Sequence, residues 1–102
     1  MKWVDAGPAA ELGEGQSISI AIGRRMVAIA RSEGEVFAVE DVCTHDGAEL
    51  TGGEIEGGQI VCPRHGARFC LRTGQALTPP AYEPVRVFAT KIESGRIWVR
   101  AD

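Results

Sequence analysis

Hydrophobic residues along this chain alternate with small or polar residues in short runs. Residues 17–22 are the clearest case, because three isoleucines alternate there with serine and alanine before Gly23 opens a turn. Glycine, serine or proline interrupts the pattern every several residues, and no stretch keeps a helical period. The pattern therefore predicts an all-β fold with a first strand at 17–22.

The rest of the chain is predicted to form a series of antiparallel hairpins. Turn residues at 32–34, 57–58 and 94–95 separate runs that are rich in β-branched and aromatic side chains. The side chains predicted to face the core are Ala67, Phe69 and Leu71 on one strand, and Val87, Ile92, Ile97 and Val99 in the closing hairpin. The strands predicted after the first are 26–31, 36–40, 54–56, 59–61, 67–71, 75–77, 85–93 and 96–100.

Length and charge narrow the range of functions. The chain has 102 residues, which is enough for one domain over 1–102 and too short for two. Its formal net charge of -3 argues against nucleic-acid binding, which requires clustered lysine and arginine. No apolar run approaches a signal-peptide core or a membrane span, so we expect a cytoplasmic protein without a membrane partner.

Two short segments hold both histidines of the chain and two of its three cysteines. Cys43 and His45 form a CxH pair, and Cys62 and His65 form a CxxH pair. The sixteen residues 46–61 separate the two pairs. Two thiolates and two imidazoles on two loops are a typical ligand set for a metal centre. We therefore expect these four side chains to bind metal, and we expect no catalytic residue.

Ligand identity alone leaves the metal open, because zinc and iron both accept cysteine and histidine. Zinc modules commonly place two cysteines close together and two histidines close together, whereas each loop here offers one of each. The mixed pairing favours a diiron centre. A structural zinc module for protein interaction and a redox or iron sensor are the alternatives.

With these motifs the chain resembles the Rieske family over its whole length. The resemblance implies a Rieske fold, an antiparallel β sandwich or incomplete barrel in which residues 41–80 form a small cluster-binding subdomain. It also implies one [2Fe-2S] cluster per chain. In that family the two cysteines bind one iron and the two histidines the other, so Cys43 and Cys62 would hold the first, and His45 and His65 the second.

The resemblance further implies a soluble Rieske ferredoxin. Such a protein is not an enzyme; it carries one electron from an NAD(P)H-dependent flavoprotein reductase to a terminal ring-hydroxylating oxygenase in aromatic hydrocarbon catabolism. A carrier also follows from the coordination, because four protein ligands and the bridging sulfides leave no open position on either iron. We expect a monomer. A Rieske-like subunit of a nitrite reductase is the alternative within the carrier class.

The chain departs from the respiratory members of the family at four positions. Ala48 and Arg64 stand where those members carry a disulfide, and Ala67 and Phe69 stand where they carry hydroxyl donors to sulfur. Since hydrogen bonds to sulfur favour the more negative reduced form, their loss predicts a midpoint potential near the low end of the Rieske range, about -150 mV.

Two further features are predicted from their positions. Cys70 lies one residue after Phe69, so it should point to the opposite face of its strand and take no part in metal binding. Pro79 and Pro80 form either a plain turn or, as the resemblance implies, a loop that covers the cluster and limits access of water.

Overall fold

The computed structural model describes residues 2–101, and the protein is nearly all β over that range. This confirms the predicted fold class. Besides one short 3-10 helix at Ala9–Glu11, the regular elements of the described residues are strands, joined by turns and loops. Their bounds are Lys2–Pro8 (β1), Ser17–Ile22 (β2), Arg25–Ser32 (β3), Glu35–Glu40 (β4), Ile55–Glu56 (β5), Gln59–Val61 (β6), Arg68–Cys70 (β7), Val87–Glu93 (β8) and Arg96–Ala101 (β9).

The strands form two antiparallel sheets. The larger sheet has the order β1-β9-β8-β4-β3-β2 and curves into a nearly closed barrel. The smaller sheet has the order β5-β6-β7, and all of its strands fall within residues 41–80. The chain therefore leaves the large sheet after β4, builds the small sheet, and returns to the large sheet with β8.

Strand β3 separates two hydrophobic cores. Its side chains alternate between them, so Val27 and Ile29 enter one core and Ala28 and Ala30 enter the other. A strand that is covered on both faces needs apolar residues at successive positions, which explains the unbroken apolar run in β3. The framework core contains Ala6, Ala9, Leu12, Ile22, Val27, Ile29, Val36, Ala38, Ile97 and Val99. The ligand-side core contains Ala28, Ala30, Val39, Cys43, Leu50, Ile60, Cys62, Ala67, Phe69, Leu71, Ala81 and Val85.

The strand at the amino terminus was not predicted from the sequence. Its partner is β9, in a register that places Trp3 opposite Arg100 and Val4 opposite Val99. The register shifts between Asp5 and Pro8, where the strand is irregular. A segment with no regular alternation becomes a strand here because a distant edge supplies its hydrogen bonds, and a local pattern cannot reveal that.

The predicted core pairing of the last hairpin is correct for two residues and wrong for two. Ile97 and Val99 are fully buried, whereas Val87 and Ile92 are 39% and 49% exposed. Strand β8 pairs with β4 only at its beginning, so no strand on that side accompanies Ile92 near the end of the hairpin. The exposed fraction of Ile92 thus depends on where the neighbouring strand ends, whereas Val87 lies within the paired stretch opposite Val39 and its exposure has no such cause.

The predicted return at 75–77 is present but shorter than a strand. It forms one isolated antiparallel bridge, between Phe69 and Ala76, flanked by hydrogen bonds from the Cys70 amide to Gln75 and from the Leu77 amide to Arg68. The preceding strand is confined to 68–70, although Ala67, Phe69 and Leu71 are all buried as predicted. Across residues 2–101 the structure contains no helix with the length and apolar character needed to cross a membrane.

Candidate metal centre

Two loops carry the predicted ligands, and both fold into the same turn. In the first ligand loop, residues 41–51, the Cys43 amide donates to the Ala48 carbonyl at 2.7 Å and the Gly47 amide donates to the Cys43 carbonyl at 2.8 Å. In the second ligand loop, residues 62–67, the Cys62 amide donates to Ala67 at 2.7 Å, and Gly66 donates to Cys62 at 3.0 Å. The two loops therefore share one backbone hydrogen-bond pattern, in which the histidine stands two residues after the cysteine in the first loop and three residues after it in the second.

Each turn requires a glycine four residues after its cysteine. Gly47 has a φ of 81° and Gly66 a φ of 77°, in the left-handed region that glycine occupies without steric cost. Both glycines are visible in the sequence as a C-x-x-x-G spacing that recurs in the two loops. The chemistry of the ligands and the backbone of the turns are thus encoded in the same short segments.

The two cysteines lie inside the protein. Cys43 and Cys62 are each 1% exposed and belong to the ligand-side core. Burial raises the pKa of the Cys43 thiol, and the neighbouring Cys62 raises it further, while backbone amides of His45 and Asp46 act in the opposite direction. In the part of the chain that the structure describes, the polar groups that act on this thiol are thus backbone amides and the second cysteine.

The two histidines lie at the surface. The ring centroids of His45 and His65 are 5.1 Å apart, and the rings meet edge to face at 82°. An Asp46 carboxylate oxygen lies 3.0 Å from Nδ1 of His65 and 3.7 Å from Nε of Arg64. A hydrogen bond from the Ala48 amide, supported by the Arg64 charge, lowers the pKa of Asp46. The exposed part of the site, called the histidine tip below, therefore consists of the imidazoles of His45 and His65 beside the Asp46 carboxylate.

These side chains form two groups with metal-binding geometry. The possible ligand atoms of Cys43, Asp46 and Cys62 lie within 4.8 Å of one another, and so do those of His45, Asp46 and His65. Asp46 is common to both groups, so the sulfur pair and the nitrogen pair are adjacent. This donor set, two buried sulfurs beside two exposed imidazoles, fits a [2Fe-2S] cluster with cysteine on one iron and histidine on the other.

Asp46 was not singled out as a site residue from the sequence. The only signal was its position directly after His45, since acidic residues are common on exposed loops. The four predicted ligands, in contrast, are all brought to this one end of the protein.

The family model of the Rieske [2Fe-2S] domain matches residues 2–89. The chain belongs to the Rieske [2Fe-2S] domain family. Its cofactor is accordingly a [2Fe-2S] cluster, in agreement with the cysteine and histidine groups at the tip. Among curated proteins, this Rieske chain is 35% identical to the ferredoxin component of the naphthalene 1,2-dioxygenase system of Pseudomonas aeruginosa, over 96% of this chain and 94% of that protein.

Solved structures of Rieske ferredoxins have the same fold. The ferredoxin of carbazole 1,9a-dioxygenase from Nocardioides aromaticivorans IC177 superposes with a TM-score of 0.94 at 26% identity, and the match covers 100% of both chains. A chain in a complex of reduced oxygenase and oxidized ferredoxin in carbazole 1,9a-dioxygenase superposes with a TM-score of 0.89 at 31% identity, covering 95% of this chain and 91% of that chain.

The remaining predicted positions take their places around this Rieske site. Cys70 lies on β7 opposite Gln59, is half-buried, and belongs to neither metal-binding group within the described residues. The segment after Pro79 and Pro80 packs against the site, because Ala81 lies in the ligand-side core. The Thr44 hydroxyl donates to the Glu83 carbonyl at 2.7 Å, which holds this proline-containing segment against the first ligand loop.

Proposed function

We propose that this Rieske protein is a one-electron carrier that supplies a terminal ring-hydroxylating oxygenase. One observation carries the proposal: a pair of exposed imidazoles and a pair of buried thiols lie next to each other, each pair within 4.8 Å of the same Asp46 carboxylate. Relatives that align over nearly the whole chain are ferredoxin components of dioxygenase systems, and one structural neighbour is a ferredoxin in a complex with its oxygenase. This agrees with a protein whose reactive end must face a partner.

The chain's own residues divide the work of such a carrier. When bound, the [2Fe-2S] cluster supplies a couple that stores one electron. Cys43 and Cys62 would hold it from the inside, where their burial keeps water away from the sulfur atoms. His45 and His65 would hold it from the outside and leave the rest of each ring at the surface, within reach of a docked protein.

We also propose the following organisation, which the sequence predicted. The chain forms one domain over 1–102, with residues 41–80 as the cluster-binding subdomain. The presence of both ligand loops and the whole small sheet in that segment supports the proposal. Its core is shared with the framework, because Ala28, Ala30 and Val39 pack among the cysteines. The subdomain should therefore fold together with the large sheet.

A flavoprotein reductase is proposed as the electron donor, and a monomer in the cytoplasm as the working form. Reductase and oxygenase would need the same histidine tip in turn, and a monomer leaves that tip open to both.

The metal content of the protein tests the proposal. Anaerobically purified protein should contain two irons and two acid-labile sulfides per chain, and should give an electron paramagnetic resonance signal of mixed nitrogen and sulfur ligation after reduction with dithionite. Cys62→Ala should abolish the signal, whereas the control Cys70→Ala should retain it. A colourless protein that contains zinc would overturn the proposal.

The midpoint potential is a second prediction. Ala67 and Phe69 carry no hydroxyl, so we expect a value of about -150 mV, near the low end of the Rieske range. Protein-film voltammetry measures it directly. Ala67→Ser offers a hydroxyl close to Cys62 and should raise the potential by about 40 mV for each 1 kcal/mol by which the new hydrogen bond stabilises the reduced form more than the oxidised form. A strongly positive wild-type potential would contradict the prediction.

A further inference from the structure

The two ligand loops have the same turn but very different support. The second ligand loop joins β6 to β7, so the paired residues Val61 and Arg68 hold its two ends together. The first ligand loop follows β4, and the next strand begins only at Ile55. Its far end, at Leu50 and Thr51, is therefore not held by strand pairing and needs another anchor.

One buried carboxylate supplies that anchor. Asp41 is 5% exposed, and within residues 2–101 the only other buried polar side chain is that of Ser32. Oδ1 of Asp41 accepts hydrogen bonds from the amides of Leu50 at 2.7 Å and Thr51 at 2.9 Å. Oδ2 of Asp41 accepts hydrogen bonds from the hydroxyls of Ser19 and Thr51, both at 2.7 Å. Each oxygen of the carboxylate thus accepts two hydrogen bonds.

These four bonds tie together three parts of the chain. Ser19 belongs to β2 in the large sheet, Asp41 is at the start of the first ligand loop, and Leu50 and Thr51 are at its end. The amide of Asp41 also donates to the Met26 carbonyl at 2.8 Å, so the residue is attached to β3 as well. The carboxylate therefore closes the first ligand loop and fixes it to the framework.

We propose that Asp41 is the positioning residue of the first ligand loop, holding Cys43 and His45 in place through the clamp at Leu50 and Thr51. It touches neither ligand side chain in the contacts described, so it acts through the backbone of the loop. This inference deepens the proposed function. It rests on that function only in taking residues 41–51 as a ligand loop. The second ligand loop has no need of such a residue, because the β6-β7 pairing performs the same task.

The clamp suits a carboxylate. Four donors converge on the side chain of Asp41, two amides on one oxygen and two hydroxyls on the other. An ionised carboxylate is an acceptor at both oxygens, which suits four donors. An asparagine has nearly the same shape but carries no charge. With its NH2 turned to the two amides it would face donors with a donor; with its NH2 turned to the two hydroxyls, both of these would have to accept and the charge-assisted bonds would be lost.

The test compares local opening of the two loops in the intact, metal-loaded protein. In Asp41→Asn, hydrogen–deuterium exchange read by mass spectrometry should be at least about ten-fold faster for the amides of 43–51 than in wild type, while exchange at 62–67 changes less than about two-fold. Bleaching of the visible absorbance in excess chelator should also be at least about ten-fold faster.

Ser32→Ala is the matched control, because it too removes a buried polar acceptor. Its Oγ accepts from the Gly58 amide at 3.0 Å, in the turn between β5 and β6 and away from the first ligand loop. Exchange at 43–51 should stay within about two-fold of wild type in this variant.

Equal acceleration at both ligand loops in Asp41→Asn would show a purely global role, and unchanged exchange at 43–51 would show none; either result overturns the proposal. If Asp41→Asn does not fold, Thr51→Val removes a single donor and should give a smaller increase with the same selectivity. The exchange pattern can be read whichever metal is bound. A wrong metal would therefore refute the proposed function without affecting this test.

Discussion

Gly53 lies where the chain leaves the first ligand loop and passes β6. A Cβ at this position would stand 1.9 Å from the Val61 carbonyl oxygen, one residue before Cys62. That distance is far inside van der Waals contact, and a backbone atom cannot turn aside as a flexible side chain can. The absence of a side chain at Gly53 thus permits the close approach of the chain segments that carry the two ligand pairs.

We therefore expect Gly53→Ala to lower the free energy of unfolding by about 2 to 3 kcal/mol. For a domain of this size the corresponding fall in melting temperature is about 8 °C or more. Iron content per folded chain should fall with it, because the strand leading to Cys62 must shift. Thermal unfolding followed by circular dichroism, together with iron analysis, measures both effects.

Gly13→Ala is the control for this change. A Cβ there would meet the side-chain oxygen of Gln16 at 3.0 Å, and that side chain can move away. Its melting temperature should stay close to that of wild type. Equal losses in the two variants would show that the contact with Val61 is not what makes Gly53 necessary.

At the scale of elements, β3 divides the protein into a framework and a ligand side. Phe69 on β7 is fully buried in the same core as both cysteines, whereas Ile97 on β9 is fully buried in the framework core. A smaller side chain at Phe69 should loosen the packing around Cys43 and Cys62. A smaller side chain at Ile97 should loosen the packing of the large sheet and leave the ligand loops in place.

This division predicts different results for two conservative truncations. Phe69→Leu should shorten the lifetime of the metal centre in chelator by at least about three-fold, because it removes contacts around the cysteines. Ile97→Val should lower the free energy of unfolding by about 1 kcal/mol and leave that lifetime unchanged. Visible absorbance and urea denaturation measure the two quantities. Equal lifetimes in both variants would contradict the separation of the cores.

On the scale of the whole molecule, the histidine tip is continued by an exposed aromatic side chain. Tyr82 is 81% exposed, and the bond from Thr44 to the neighbouring Glu83 places it beside the loop that carries His45. Ile92 is also exposed, but it lies near the end of β8. The beginning of β8, not its end, pairs with the part of β4 that leads to the site, so Ile92 is the more distant residue. Large exposed aromatic residues often dominate the energy of protein interfaces.

We expect Tyr82→Ala to slow electron transfer to a terminal oxygenase by about ten-fold, as the loss of about 1.4 kcal/mol of binding energy would. Ile92→Ala should leave the rate unchanged. Stopped-flow oxidation of the dithionite-reduced protein by a terminal oxygenase, at sub-saturating oxygenase, gives both rates. Identical rates for Tyr82→Ala and wild type would place the interface elsewhere, provided that the two visible spectra agree.

The sequence by itself determined the family, the turns and most of the strands, and it predicts the ligand set. Strand β2 at 17–22 and strand β6 at 59–61 have the predicted bounds, because alternation and turn residues act between neighbours in the chain. The family and its cofactor also followed from the sequence, since CxH and CxxH are short motifs whose members lie next to one another. The assignment of the four ligands to the two irons stays a prediction.

Only the tertiary structure decided the features whose partners are distant in the chain. Strand β1 depends on β9, the exposure of Ile92 depends on where β4 ends, and Asp41 reaches its partners Ser19 and Thr51 across 22 and 10 positions. A hydrogen bond or a covered face needs a second segment, and the chain's local pattern carries no record of which segment will arrive. The sequence therefore specifies the chemistry of the site, and the assembled sheets specify how that chemistry is held.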